Sequence, residues 1–350
     1  MIHPTDLTDD LRATLTSMID RIGIDTATPP AGTDDHLWDL LVEAGFTALD
    51  CPADCGGGGA TTADALTVLS ALAGAGAITP MLEHGVLATW LAGQTGFSLV
   101  GRTATVAVAD TGWSVGRVGD EVVLTGTASE VTRHPRTDTV VVLAPASAPV
   151  RPAAVAVIAL DAAGLAYTAG TDLSGVPVGT LTMATAPVVS YAENGPTTTE
   201  FLVRAALAES VVLAAGARAV CDQTVAYAST REQFGRPLAG FQAIAHRLAE
   251  LAELTALMET AVATATHPDA DPTTIVATKT VCSMYAHDVA AAAHQIHGAI
   301  GFTGEHRLGR FTTALWTHRD RHGSDRAWAR TLGDRILAGA DVWELVTART

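Results

Sequence analysis

Twice along the chain the spacing of apolar residues changes period, and these two changes constrain the fold more than any single motif. Residues 1–98 are helical in pattern. In "DDHLWDLLVEAGF", Leu37, Leu40, Leu41 and Ala44 recur three or four apart behind Asp34 and Asp35, as on one face of a helix with acid at its start. "TTADALTVLSALAGAG" and "TPMLEHGVLATWLAGQTG" repeat the pattern and run into glycine, a helix-ending residue. Over residues 99–192 the texture switches to short runs rich in Val, Ile and Thr: "TATVAVAD", "EVVLTGTA", "DTVVVLAPA" and "AAVAVIALD". These read as strands, and Gly119-Asp120 in "VGDEVVLTG" reads as a hairpin turn. Residues 193–350 return to long helical patterns. One stripe carries Phe241, Ile244, Leu248, Leu251 and Met258, and another helix opens with Asp271 as cap and Pro272 at its first position. The expected fold is α+β: an N-terminal helical domain (1–98), a middle, mostly antiparallel β domain (99–192), barrel or sandwich, and a C-terminal helical bundle (193–350).

Composition narrows the function. Of 350 residues, 48% are hydrophobic and 17% charged, enough for a large core. The net charge of −16 repels a polyanion, so nucleic acid is not an expected partner. No apolar run reaches the ~18 residues of a membrane span. "MIHPTDLTDDLRATL" lacks a basic stretch followed by an apolar one, so the expected location is the cytoplasm, with Cys51, Cys55, Cys221 and Cys282 reduced. "CPADC" has no second ligand pair, and no metal is expected there. No Gly-Lys-Ser/Thr follows "GGGG", so it is not a Walker loop. His287, His294 and His297 share a helical face without an acidic partner and read as solvated or capping. Arg319 and Arg321 read as a solvated helix end.

Two segments say more. "TREQFGRPLAGFQAIAHRLAE" carries Arg231, Phe234, Gly235, Pro237, Leu238, Phe241 and Gln242 in an Arg-x-x-Phe-Gly-x-Pro-Leu-x-x-Phe-Gln pattern. "HQIHGAIGFTGEHRLGRF" carries Gln295, Ile296, Gly298, Gly301 and Phe302 in a Gln-Ile-x-Gly-Gly-x-Gly-Phe pattern, with Ala299 at the second glycine. Together they resemble the acyl-CoA dehydrogenase family, and weaker echoes, such as "AGFTALDCPADCGGGGAT", extend the resemblance over nearly the whole chain. The resemblance implies helices, a β domain and a four-helix bundle, with FAD as cofactor and an acyl-CoA as substrate. It also implies that the ADP half of FAD rests on a neighbouring chain. Arg231 would offer the pyrophosphate a two-pronged cation, Gln233 and Phe234 would flank ribose and adenine, Gln295 would add hydrogen bonds, and Gly298 and Gly301 would admit the dinucleotide close to the backbone.

The resemblance fails where the reaction needs an anion to take the α-proton. The family's usual glutamate position, counted from Gln295, holds His322, inside "RHGS". The alternative position, counted back from Arg231, holds Ala205, and Glu209 lies one helical turn, roughly 6 Å, beyond it. Around the flavin ring the family's Trp-Ile-Thr is Glu130-Val131-Thr132, so Thr132 alone remains, and Ser324 keeps the turn after His322. The chain thus resembles the glutamate-lacking subunits of bacterial α2β2 dehydrogenases acting on steroid-derived CoA thioesters. That resemblance implies a homologous, glutamate-bearing partner, to whose FAD this chain lends its ADP pocket. A homomeric dehydrogenase using Glu209 or His322 as base, a flavin monooxygenase on the same fold, and a non-enzymatic acyl-CoA-binding scaffold are the alternatives.

Overall fold

The computed structural model describes residues 4–24, 33–146, 152–304 and 306–339, with backbone alone for 4–9. Residues 340–350 of the expected C-terminal segment lie outside these. The first helices are α1 (Pro4–Ile22), α2 (Asp35–Glu43) and α3 (Thr62–Ala75), followed by a π-helix (Met81–Ala88) that runs into α4 (Thr89–Gly93). Eight strands come next: β1 (Ala104–Val108), β2 (Ser114–Val118), β3 (Glu121–Thr132), β4 (Thr139–Ala144), β5 (Ala154–Ala159), β6 (Leu165–Thr171), β7 (Pro177–Pro187) and β8 (Ser190–Glu193). Then come α5 (Thr198–Thr230), α6 (Gln242–Ala265), α7 (Pro272–His297), α8 (Leu308–Asp320) and α9 (Asp325–Leu337). This is the α+β order that the two changes of period predict. The chain forms two compact units, one containing Ala77–Phe201 and most of the preceding helices, the other Leu202 onward together with Ala73–Gly76.

In the first unit α2 buries Leu37, Trp38 and Leu41, the residues its spacing puts on one face. Trp38 Nε1–H donates to Thr103 Oγ1 at 3.0 Å. Asp34 does not cap its own helix. Its carboxylate accepts the Ile78 N–H at 2.6 Å. "MLEHGVLA" has helical spacing, yet it coils as a π-helix with all eight residues buried. The wider coil seats Glu83 beside His134, Nε2 to Oε2 3.3 Å, and lets His84 Nδ1 accept the Ala104 N–H at 3.0 Å.

The strands form two four-stranded sheets. One has the order β1-β4-β5-β8, parallel between β1 and β4 and otherwise antiparallel; the other is antiparallel throughout, β2-β3-β7-β6. Leu124, Val131, Leu181 and Met183 of one sheet pack with Val140, Val142, Ala156 and Ile158 of the other, so the β domain is a sandwich. β4 is buried at every residue, which explains why "TVVVLA" lacks alternation. Val118 pairs with Glu121, leaving Gly119-Asp120 as the hairpin turn, with Gly119 at φ 62°.

In the second unit one core joins Leu213, Ala217 and Val220 of α5, Leu251 and Met258 of α6, Cys282, Ala286 and Ala293 of α7, and Phe311 and Leu315 of α8. This is a four-helix bundle in which small residues let helices approach closely. At Gly216 a Cβ would lie 3.3 Å from Leu315. Asp271 caps α7, accepting the Thr274 N–H at 2.7 Å, with Pro272 at the first position. The α6 stripe is deeply buried only at Leu251 and Met258; Phe241, Ile244 and Leu248 are half-buried. Phe311 meets Gly76, whose φ is +74° and where a Cβ would sit 2.8 Å from the ring. Phe311→Ala should lower stability by about 3–5 kcal/mol through the cavity it leaves, read as a lower urea midpoint at unchanged slope.

Candidate functional site

The two sequence motifs lie side by side, and the candidate base positions lie apart from them. α5 ends at Thr230, and the chain turns back through a hairpin pairing Glu232–Gln233 with Arg236–Pro237. Phe234 and Gly235 form its turn, with φ of 51° and 80°, the doubly left-handed geometry of a type I′ turn. A phenylalanine is strained there, and this one is 93% exposed. Phe241 meets it edge-on at 6.1 Å, and the Arg236 guanidinium lies 4.0 Å over the Phe241 ring. Arg231 and Gln233 are exposed on the same hairpin, and no carboxylate among the described residues pairs with Arg231.

The second motif is its neighbour. Tyr227, in the last turn of α5, stacks on His297 at 4.3 Å, and its hydroxyl donates to the His297 carbonyl at 3.4 Å. This contact joins the ends of α5 and α7. Gln295 is exposed on α7 and lines an open groove with Arg247, Glu250 and Asp288. Gly298 ends α7 at φ 62°, a conformation that favours glycine. Gly301 is needed for packing within the chain, because a Cβ there would come 2.9 Å from His297 Cβ.

The histidines of this helix differ from expectation. His287 is exposed, but His294 and His297 are buried. They lie on the face of α7 that carries Ala290 and Ala293 inward, and flat imidazoles fit there by stacking. His294 lies between Phe302 and Trp316, at 4.4 and 5.7 Å, and its Nε2 bonds Thr312 Oγ1 at 2.9 Å. His297 Nδ1–H donates to the Ala293 carbonyl at 2.8 Å. Burial lowers the pKa of both. Among the described residues no cluster of His, Cys, Asp or Glu can hold a metal ion.

At the other end, the sequence presents Glu209 and His322 as alternatives, and the structure joins them. Glu209 of α5 is fully buried. His318 Nδ1 lies 2.6 Å from one of its oxygens and His322 Nδ1 2.9 Å from the other. A carboxylate only accepts, so the proton of each of these bonds sits on Nδ1. Burial pushes the Glu209 carboxyl up, but the charge and N–H of His318, then those of His322, outweigh it and hold it well below the usual carboxylate range. Below the cluster, buried Lys279 of α7 donates to the carbonyls of His318 (2.7 Å) and Arg319 (3.0 Å), and Ser283 donates to the latter at 2.7 Å. Burial lowers the Lys279 amine to about 8, against the pull of Glu209. Arg319 pairs with its neighbour Asp320 at 2.7 Å on the exposed end of α8.

His322 itself has φ 54°. Its carbonyl accepts Trp328 Nε1–H at 3.1 Å. The Ser324 hydroxyl caps α9 by accepting the Ala327 N–H at 3.3 Å. Ala205 is buried. Thr132 is buried at the end of β3 and its carbonyl accepts the Thr105 hydroxyl. Glu130 is exposed at φ 57° in the bulge between Ala128 and Val131. The hint to the histidine–carboxylate cluster is a lone acid in an apolar helix, "AALAESVVLAAGA": a buried carboxylate needs donors.

Comparison with known proteins agrees with the fold. Residues 196–341 match the model of the acyl-CoA dehydrogenase C-terminal domain. The chain is 30% identical over 314 residues to acyl-CoA dehydrogenase IpdE2 of Mycolicibacterium smegmatis, covering 85% of this chain and 88% of that protein. It superposes on a chain of the ChsE4-ChsE5 complex from Mycobacterium tuberculosis with a TM-score of 0.81 at 25% identity, covering 97% of this chain and 99% of that chain. A variant of the Tcur3481-Tcur3483 steroid ACAD gives a TM-score of 0.81 at 23% identity, with 96% and 99% covered. With two motifs, the α+β fold and a relative 30% identical over most of both chains in agreement, the chain belongs to the acyl-CoA dehydrogenase family.

Proposed function

We propose that this chain is the accessory subunit of a cytoplasmic, heteromeric, FAD-dependent acyl-CoA dehydrogenase that desaturates an acyl-CoA between Cα and Cβ. Its partner is a homologous, glutamate-bearing chain, in an α2β2 assembly, and its substrate a steroid-derived CoA thioester. The similarity to the ChsE4-ChsE5 complex supports the heteromer, and the likeness to a steroid ACAD supports the substrate class. The observation that carries the reading is an asymmetry. The Arg231–Phe234 hairpin offers an exposed cation, amide and aromatic ring, while the family's two base positions hold His322, tied to Glu209, and buried Ala205.

The residues present fit the ADP half of FAD. Arg231 would grip the pyrophosphate with two parallel N–H groups. Phe234, held out of the protein by its turn, would lie against the adenine, with Gln233 beside the ribose. Gln295 would donate from α7, and Gly298 and Gly301 would let the dinucleotide approach the backbone. Bound FAD supplies the acceptor for the β-hydride. The flavin-ring pocket and the glutamate that takes the α-proton would come from the partner, with Thr132 and Ser324 of this chain in minor roles.

Flavin content tests this. Purified alone, the chain should hold close to no FAD by visible absorbance. With its partner it should hold about one per pair, and Arg231→Ala should remove it. One FAD per chain in a homomer sinks the accessory reading. It would favour a second reading, a self-sufficient dehydrogenase with His322 as base, which the Glu209–His322 bond supports.

A further inference from the structure

Arg231 and the Gly298–Gly301 turn can grip one dinucleotide only if their spacing is held fixed, yet they follow different helices, α5 and α7. We infer that Tyr227 is a positioning residue that sets this spacing, acting through a flat stack on His297. Its role rests on the reading that these two motifs hold the ADP half of FAD, and is the same whichever chain supplies the flavin-ring pocket.

Tyr227 is fastened to both motifs. On its own helix, its carbonyl accepts the Arg231 N–H at 2.8 Å, and the Arg231 carbonyl in turn accepts the Leu238 N–H at 2.8 Å. The Arg231 backbone is thereby fixed one helical turn beyond Tyr227. On the other side, the Tyr227 ring meets the glycine turn at both of its ends. It stacks on His297, immediately before Gly298, at 4.3 Å and 18°. It stands edge-on to His306, past Gly301, at 6.1 Å and 86°. His297 and His306 also meet each other, at 4.8 Å. The glycine turn is therefore a loop whose two ends converge on one phenol. The Tyr227 hydroxyl completes the contact by donating to the His297 carbonyl at 3.4 Å, one of the last carbonyls of α7, which have no partner within the helix.

His297 suits this place by its shape. Its Nδ1–H donates to the Ala293 carbonyl at 2.8 Å, but its Nε2 is buried without a hydrogen-bond partner, a cost that an apolar side chain would avoid. What the imidazole offers in return is a flat face for the phenol. Burial, then the neighbouring His306 and His294, lower its pKa, so two neutral rings face each other near pH 7. A stacked pair of this kind contributes a free energy equivalent to about tenfold in an equilibrium constant.

The test is FAD affinity of the flavin-bearing assembly: this chain co-expressed with its glutamate-bearing partner or, where it carries flavin alone, the homomer. FAD is titrated into the deflavinated protein and its Kd is read from the quenching of flavin fluorescence. His297→Ala and Tyr227→Leu should each weaken FAD about tenfold. His297→Phe and Tyr227→Phe, which keep a flat ring, should stay within about threefold of wild type. The visible absorbance band of the flavin that binds should be unchanged in all four, because the flavin ring lies outside this contact. Val289→Ala, in the core two turns earlier on α7, separates positioning from stability: it should lower the urea midpoint and leave FAD affinity as it is. Tyr227 is half-buried near the end of its helix, so Tyr227→Leu decides should His297→Ala not fold. Wild-type affinity in Tyr227→Leu, or no rescue by the two phenylalanine variants, overturns the inference while Arg231→Ala still empties the site. An assembly that takes up no FAD, or one in which Arg231→Ala binds it like wild type, overturns the pocket reading and the role of Tyr227 with it.

Discussion

Glu209→Leu should lower stability by about 3–5 kcal/mol, the cost of removing one partner from a buried charged cluster. The substitution fills the space with a residue suited to the apolar helix around it. What it leaves is two imidazole N–H groups that pointed at the carboxylate, at 2.6 and 2.9 Å, each carrying a desolvation penalty of about 1–3 kcal/mol when unmet. It also strands Lys279, whose charge is eased by Glu209. Glu209→Gln should cost less, about 1–3 kcal/mol: the amide oxygen still accepts from one imidazole, and its NH2 can donate to the other after a tautomer shift. The ordering Leu below Gln below wild type, read from urea unfolding, is the expected result. Equal stability of all three would mean that the carboxylate holds nothing together.

The second large effect is one of pH. Burial holds His84 neutral, at a pKa of about 4 against an ordinary 6.5, with Nδ1 committed to the Ala104 N–H. In the unfolded chain the imidazole takes up a proton near 6.5, in the folded chain only near 4. Between these values the unfolded state binds more protons, so stability rises with pH. The contribution is complete above about 6.5 and is lost as pH falls toward 4, a span worth about 3 kcal/mol. His84→Asn keeps an acceptor near the Nδ1 position and cannot titrate. The gap in unfolding free energy between wild type and this variant should therefore shift by about 3 kcal/mol in the variant's favour between pH 7 and pH 4. A pH-independent gap would show that folding leaves the His84 pKa unchanged.

Much of the fold is legible in the sequence because its signals are local. Gly119-Asp120 and Asp271-Pro272 act within four residues of themselves, and both do what their chemistry dictates. The π-helix at Met81–Ala88 is not legible, since its spacing is that of any buried helix and its wider coil answers to partners at Ala104 and His134, distant in sequence. The same holds for the Glu209 cluster, in which 109 and 113 residues separate the bonded pairs. The family's pattern can mark His322 as a substitution, but only the folded chain shows that the acid one turn beyond Ala205 reaches it. His294 and His297 depart from the expected solvated positions for a related reason: polarity suggests solvent, whereas stacking partners such as Tyr227 and Trp316 come from other helices.

The parallel pairing of β1 with β4 has a consequence for how the protein assembles. The chain between Val108 and Thr139 is not idle linker; it makes β2 and β3 of the opposite sheet. The β2–β3 ribbon can close within microseconds of its own accord. The first sheet cannot zip outward from any such turn at β1, because its neighbour there has yet to return from across the sandwich. Ordering is thereby built into the connectivity: one face forms early and by itself, and the other must wait for a search over long contour distance. During that wait "TVVVLA", the segment buried most completely in the finished sandwich, is the one most in need of shelter from other chains.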